Sequence, residues 1–308
     1  DVRDYQGCKW SYPRIGGHEY SAVIEHIGTG VDPSLFHIGD KVINYIIDDC
    51  GVCPDCKHHH ENICSNFTKG TAYFNENGFS GFYGFSEYAV VKARHLYVYP
   101  KETPDDEAAF TEPLACVINS INRSHIKMGD DVVVIGGGVM GLLHVLCAKR
   151  QGARVILSET DAKRRAFGLK LGADNVIDPL EFDPVEQVKK LTNGRGANVV
   201  ENTTAIPSVA AQAIQMTAKS GLCNMFSSIH PNEPILVDAG RLHSQEIVVT
   251  GTQNGTIETF AQAIDCISKG IIDVKPLIEA VYDYEEVVEA MECASRPDTY
   301  KVMLRFSE

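Results

Sequence analysis

The chain has 308 residues, enough for two ordinary domains, with 44% hydrophobic and 22% charged residues. This is a globular composition, which excludes collagen-like, disordered and disulfide-stapled mini-protein classes. Its 28 basic and 41 acidic residues leave a net charge of −13, which argues against a nucleic-acid or anionic-membrane surface.

No apolar run approaches the roughly 18 residues of a membrane span, and no signal peptide is read. A cytoplasmic protein without a membrane or nucleic-acid partner is expected. Ten cysteines are present. Six of them, Cys8, Cys116, Cys147, Cys223, Cys266 and Cys293, are scattered through apolar or mixed stretches. That scatter predicts buried thiols in a reducing compartment.

In chain order, residues 21–28, 40–47, 85–91 and 96–99 read as strands in a Gly-, Tyr- and β-branched-rich first third. Residues 107–124 are helical in composition. Residues 131–135 are a Val/Ile run bounded by Asp and Gly, which predicts a buried strand. Strands at 154–157, 175–177, 199–201, 222–226 and 247–250 then alternate with helices starting near Val139, Asp161, Asp183, Pro207 and Arg241. Such βαβα alternation predicts a doubly wound parallel sheet covered on both faces. Residues 257–269 read as an amphipathic helix and 301–306 as a final strand.

Three motifs carry chemistry. The strand 131–135 runs into Gly136-Gly137-Gly138-Val139-Met140-Gly141, which fits G-x-G-x-x-G at Gly136, Gly138 and Gly141. The first glycine permits the turn, the second lets a pyrophosphate approach the backbone, and the third lets helix and strand pack closely. Val139 and Met140 open a helix whose free N–H groups and dipole favour phosphate. Glu159 ends the next strand, where a carboxylate takes ribose hydroxyls and repels a 2′-phosphate, favouring NAD over NADP. Arg164 and Arg165 lie close behind it. Thr203 and Phe226, after later strands, are expected to border the cofactor, because ligands sit outside the strands' carboxyl ends.

Cys50-x-x-Cys53-x-x-Cys56 is followed, after seven intervening residues, by Cys64. Four thiolates suit a tetrahedral structural zinc with no open position. An iron–sulfur cluster or free thiols are the other readings, and His58, His59 and His60 are possible competing ligands. The third motif, Gly17-His18-Glu19, gains meaning only beside the other two.

With Gly39-Asp40-Lys41-Val42, Ser86-Glu87-Tyr88 and Glu112-Pro113-Leu114, these motifs run in one order along the chain. In that order the sequence resembles the zinc-dependent medium-chain alcohol/polyol dehydrogenases, nearest their sorbitol/threonine dehydrogenase branch. The resemblance implies a GroES-like β-rich catalytic domain, residues 1–113 and 251–308 with a zinc lobe at 48–66. A Rossmann domain, residues 114–250, is inserted into it. It further implies a catalytic zinc in the cleft between them, with His18, Glu19 and Glu112 as metal-binding and catalytic residues. It implies NAD as cofactor, a small alcohol or ketone as substrate, and a homodimer or homotetramer.

Departures from the family pattern are informative. Asp1 matches the aspartate of the family's Cys-Gly-[Ser/Thr]-Asp motif, so the ligand cysteine is expected before residue 1, a truncated front. Cys8 is a weak substitute. Arg3 stands at a relay-histidine position, Asn254 at a substrate-arginine position, and Gly16 replaces a proline. Tyr5, Trp10, Phe82 and Asn254 are expected to shape the substrate pocket. The expected reaction is reversible oxidation of a secondary alcohol. A metal-free reductase and a non-catalytic NAD-binding protein are the alternatives.

Overall fold

The computed structural model describes residues 2–5, 14–67 and 79–306. Asp1, Cys8, Trp10 and the side chain of Arg3 lie outside the described residues. The chain divides into two compact units, Asp1–Ala115 with Asn254–Glu308, and Cys116–Gln253.

In the first unit a short helix α1 (Val2–Tyr5) precedes β1 (Arg14–Ile15), β2 (Ser21–Val23) and β3 (Lys41–Asn44). Then come α2 (Pro54–Lys57), β4 (Ser80–Gly81), β5 (Leu96–Val98), α3 (Asp105–Ala108) and the start of α4 (Thr111–Ser124). β2, β3 and β5 form an antiparallel sheet, and β1 pairs in parallel with β4.

The expected strands 21–28 and 40–47 are shorter than read. Hydrogen bonds from Ile24 N–H to Asp40 C=O and from Gly39 N–H to Ile24 C=O carry the ladder one step further before the chain turns. The strand expected at 85–91 does not form. Gly84 N–H bonds to Gly17 C=O at 2.8 Å, and Ser86 bonds back to Tyr83 C=O and Tyr88 C=O. These contacts spend the segment on turns and leave Tyr88 and Val90 exposed. The helix expected at 107–124 is split in two. Pro113 has no N–H, so it fits only a first turn, and the helix restarts at Thr111.

The second unit is built on β6 (Asp131–Ile135), α5 (Val139–Arg150), β7 (Arg154–Ser158), α6 (Ala162–Lys170) and β8 (Asn175–Ile177). It continues through α7 (Pro184–Leu191), β9 (Ala197–Asn202), α8 (Pro207–Met216), β10 (Thr217–Met225), α9 (Ala239–Gln245) and β11 (Val248–Gly251). The six strands form one parallel sheet, ordered β11-β10-β9-β6-β7-β8. Val132, Val133 and Val134 are fully buried, as a strand covered on both faces requires. Asp161, Asp183 and Asp238 cap α6, α7 and α9 by accepting first-turn N–H groups.

Back in the first unit lie α10 (Ile257–Ser268), β12 (Ile278–Asp283), α11 (Val287–Ser295) and β13 (Lys301–Arg305). β12 and β13 pair in parallel. β12 and α11 were not anticipated from the sequence.

One polar cluster lies inside the second unit. Glu201, on β9, is fully buried and accepts the hydroxyls of Ser120, at 2.9 Å, and Ser124. Asn224 Nδ2 donates to Ser120 Oγ at 2.8 Å and to Thr252 Oγ1 at 2.9 Å. Burial pushes the Glu201 carboxyl up to about 7, against these hydrogen bonds. Burial also pulls His144, 3.7 Å away, down to about 4, so it stays neutral and lends Glu201 no charge.

A carboxyl raised above its unfolded value binds its proton more tightly in the folded state. Its contribution to stability is complete below about pH 4.5 and is lost as pH rises to about 7. That loss is about 3 kcal/mol. Glu201→Gln, which keeps the shape of the protonated acid, is expected to flatten the decline in Tm between pH 5 and 8. Parallel melting profiles for the two proteins would refute this.

Candidate metal centres and cofactor turn

His18 is presented by a glycine pair locked to a neighbouring backbone. Phe82 N–H bonds to Ile15 C=O, Gly84 N–H to Gly17 C=O and Phe85 N–H to Gly16 C=O. Gly17 has φ of +77°, and a Cβ there would lie 2.6 Å from the Gly84 carbonyl carbon. Only glycine permits that approach. The zipper brings the Phe82 ring to 5.8 Å from the His18 ring. Glu112 arrives from the first turn of α4. His18, Glu19 and Glu112 thus place one imidazole nitrogen and two carboxylate oxygens within 4.8 Å of one another. All three side chains are half-buried. One nitrogen and two oxygens, three protein donors rather than four, is a donor set that suits a reactive zinc.

Lys301, at the start of β13, was not singled out in the sequence. Its ammonium forms an ion pair with Glu19 Oε2 and lies 5.8 Å from the centre of the Phe110 ring. Glu19 Oε1 is 3.6 Å from His18 Nε2. Glu19 therefore stands between the imidazole and a lysine, both half-buried. A lysine opening the strand ahead of Val302, Met303 and Leu304 was the available signal, and alone it is no more than a solvated edge charge.

Removing one partner of a poorly solvated ion pair strands the other, at a cost of about 3 kcal/mol. Lys301→Met is expected to lower the Tm of the metal-free protein. Zinc should then restore more stability than it adds to the parent, because the metal takes over the charge of Glu19. Equal zinc-induced shifts in calorimetry would show that Lys301 and the metal do not share that carboxylate.

The four-cysteine lobe is assembled as well. Sγ–Sγ separations are 4.0 Å for Cys50–Cys56, 3.5 Å for Cys53–Cys56 and 3.8 Å for Cys53–Cys64. A tetrahedron with Zn–S bonds of about 2.3 Å has edges of about 3.8 Å. Cys53 N–H and Asn66 Nδ2 each donate to Cys50 Sγ at 3.3 Å. Hydrogen bonds from Asn66, then from the Val52 and Cys53 backbones, pull the Cys50 thiol down to about 6. Burial first, then the neighbouring sulfurs, pushes Cys56 up to about 12. His58, His59 and His60 are exposed, and the gathered group holds cysteines alone.

The lobe is clasped to the later chain. Glu61, 8% exposed, accepts the Ile257 N–H at the first turn of α10 at 2.7 Å. Asn254 Nδ2 donates to Asn62 C=O. Tyr45 and Tyr97 hydroxyls donate to Gly255 C=O and Ile257 C=O. Asn254 is thus spent on the lobe.

The glycine turn follows β6. Gly136 has φ of +102°. A Cβ on Gly141 would lie 1.9 Å from Gly136 C=O, whereas one on Gly138 would meet only Arg164 Nη1, at 3.7 Å. The third glycine is demanded by packing and the second leaves open backbone for a ligand. Gly137, a free position in the motif, is constrained too, since a Cβ there would lie 2.9 Å from the Glu159 carboxylate. Val139 and Met140 occupy the first turn of α5 beside it.

Glu159 is buried. It accepts Gly137 N–H at Oε2, and Asp161 N–H and the Thr160 hydroxyl at Oε1. Arg165 is committed to Glu159 C=O, Thr160 C=O and Asp178. Thr203 closes the neighbouring strand end, with its hydroxyl on Ile135 C=O at 2.7 Å. Phe226 N–H bonds to Asn202 C=O, and its ring packs edge-on against His144 at 4.7 Å. The structure therefore gathers the predicted cofactor residues at the carboxyl ends of β6, β7, β9 and β10. Of the six scattered cysteines all but Cys8 are described; none of these five forms a disulfide, and each is buried or half-buried.

Comparison with known proteins matches residues 1–101 to the alcohol dehydrogenase GroES-like domain and residues 139–269 to the zinc-binding dehydrogenase domain. The 2-dehydro-3-deoxy-L-galactonate 5-dehydrogenase of Pseudoalteromonas atlantica is 31% identical, over 94% of this chain and 82% of its own. The sorbitol dehydrogenase of Halalkalibacterium halodurans is 30% identical, over 99% of this chain and 87% of its own. Among solved structures, an alcohol dehydrogenase from Escherichia coli complexed with NADH superposes with a TM-score of 0.87 at 25% identity. That match covers 99% of this chain and 87% of the other.

Proposed function

Because the chain belongs to the zinc-dependent medium-chain alcohol and polyol dehydrogenases, we propose a site-level reading of how it oxidises a secondary hydroxyl of a polyol or sugar acid with NAD. The observation that carries it is the gathering of His18, Glu19 and Glu112 within 4.8 Å, in a chain that also presents the Gly136–Gly141 turn.

When bound, zinc supplies a Lewis acid that favours the alkoxide near neutral pH, and the nicotinamide supplies the hydride acceptor. His18 and Glu112 would hold the metal, and Glu19, already paired with Lys301, would offer it a third ligand. Phe82 walls the site beside His18 and keeps water from one side. The open backbone at Gly138 and the amino end of α5 receive the pyrophosphate. Glu159, oriented by Gly137, Thr160 and Asp161, takes the adenosine ribose hydroxyls and disfavours a 2′-phosphate. Arg164 flanks the turn, and Thr203 and Phe226 border the nicotinamide side. Cys50, Cys53, Cys56 and Cys64 would hold the second, structural zinc.

Two copies are proposed to pair along β11. It is the outer strand of the sheet and exposes Val248 and Val249, 50% and 37% accessible. A homodimer or a tetramer of such pairs follows. No helix among the described residues is long and apolar enough to cross a membrane. Cysteines that are buried or half-buried and outside any disulfide fit a reducing, cytoplasmic location.

The test is NAD reduction by the purified protein with a polyol, a sugar acid and threonine in parallel, before and after chelation. Turnover that chelation removes and zinc restores is expected. Turnover insensitive to chelation would overturn the proposed mechanism in favour of a metal-free one.

A further inference from the structure

The second unit carries a cavity of about 370 Å³ whose lining residues include Lys189, Arg195, Lys219, Arg241, Gln215 and Gln245. It is separate from the cofactor turn. All six strands run the same way, and the turn follows the carboxyl end of β6. The cavity instead takes in Gly196, just before β9, and Thr217, the first residue of β10, at the amino ends of these strands. A strand of about five residues, at about 3.3 Å each, separates the two ends.

Four cations around one hollow are unexpected in a chain of net charge −13. No carboxylate lines the cavity. Two of the cations have an acidic neighbour outside it. Lys189 Nζ is 2.9 Å from Glu186, and Arg195 Nη2 is 3.5 Å from Asp131. Lys219 forms no ion pair among the described residues. Arg241 is held without a carboxylate, since its Nη1–H and Nη2–H donate to Ile214 C=O and Thr217 C=O, both at 2.8 Å. Those carbonyls lie at the carboxyl end of α8, so Arg241 also neutralises the helix-end charge that would repel an anion. Its guanidinium is therefore fixed in place before any ligand arrives, which lowers the entropic cost of binding.

We propose that this cavity is a second ligand site, which binds the phosphate group of a small phosphorylated molecule or inorganic phosphate itself. Two cations lacking acidic partners match a phosphate dianion, and two side-chain amides supply neutral donors. The volume falls in the range of small-molecule pockets.

The experiment is a titration followed by thermal shift and calorimetry, with saturating NAD and without it, so that binding at the glycine turn is separated. Inorganic phosphate, glucose 6-phosphate and AMP are compared with chloride at matched ionic strength. A saturable response that NAD does not displace is expected. Equal responses to all three phosphates identify the phosphate group itself, and a stronger response to one ester identifies the phosphorylated molecule. Lys219→Gln with Arg195→Gln is expected to weaken that response by about tenfold and to leave NAD affinity unchanged. Arg241 is kept because it caps α8. No saturable response beyond the chloride control, or an unchanged response in the double variant, would overturn the proposal.

Discussion

His18→Ala is expected to lower NAD-dependent alcohol oxidation by about a thousandfold or more. The imidazole is the one nitrogen donor in a group whose other ligating atoms are the carboxylates of Glu19 and Glu112. Glu19 is already engaged by Lys301. Two oxygens, one of them shared with an ammonium, form a poor zinc site. A metal that stabilises developing charge contributes several kcal/mol, which corresponds to that loss of rate. Zinc content should fall by about one ion per chain, with NAD affinity within about twofold of the parent. The Gly136–Gly141 turn is shaped by contacts of its own, Gly141 on Gly136 C=O and Gly137 on Glu159, none of which involves His18. Full activity, or loss of NAD binding in step with activity, would remove His18 from the metal site.

Cys64→Ser is expected to cost the protein its second zinc and to lower Tm by about 10 °C or more. Cys64 is 5% exposed, 3.8 Å from Cys53 Sγ, and accepts the Cys50 N–H at 3.4 Å. A hydroxyl in its place is a weak zinc ligand. Structural zinc in small domains contributes on the order of 10 kcal/mol, and a few kcal/mol is enough for such a shift. The damage should spread, because Glu61 and Asn62 hold Ile257 and Asn254 only while the lobe is folded. Hydrogen exchange at residues 254–258 should therefore accelerate together with that of the lobe. An unchanged zinc content, or exchange confined to residues 50–66, would show that the clasp is independent of the metal.

Much of the second unit was readable in advance, because its order is local. A Val/Ile run buried on both faces and a glycine turn each act within a few residues, and β6 to β11 fall close to the expected places. The first unit was harder. The segment 85–91 has strand composition, yet Gly84 abuts Gly17 from a distant part of the sequence and turns the chain aside. β12 and α11 have no motif of their own, and β12 gains its shape by pairing with β13.

The candidate site divides in the same way. Cys50, Cys53, Cys56 and Cys64 are a single short stretch, so residue type and spacing alone announce metal chemistry there, whereas His18-Glu19 took its meaning from the order of the other motifs along the chain. The glycines of the cofactor turn are likewise dictated by steric rules that hold wherever a strand meets a helix around a pyrophosphate. Other features depended on distant chain segments meeting. Lys301 reaches Glu19 from the far end of the chain, Glu61 caps α10, Gly137 must be bare because Glu159 folds back over it, and four cations converge on one cavity. Periodicity and spacing report on interactions within one element. A charge or a side-chain oxygen gains its role from whatever packs against it, and that partner is chosen only when the whole chain closes.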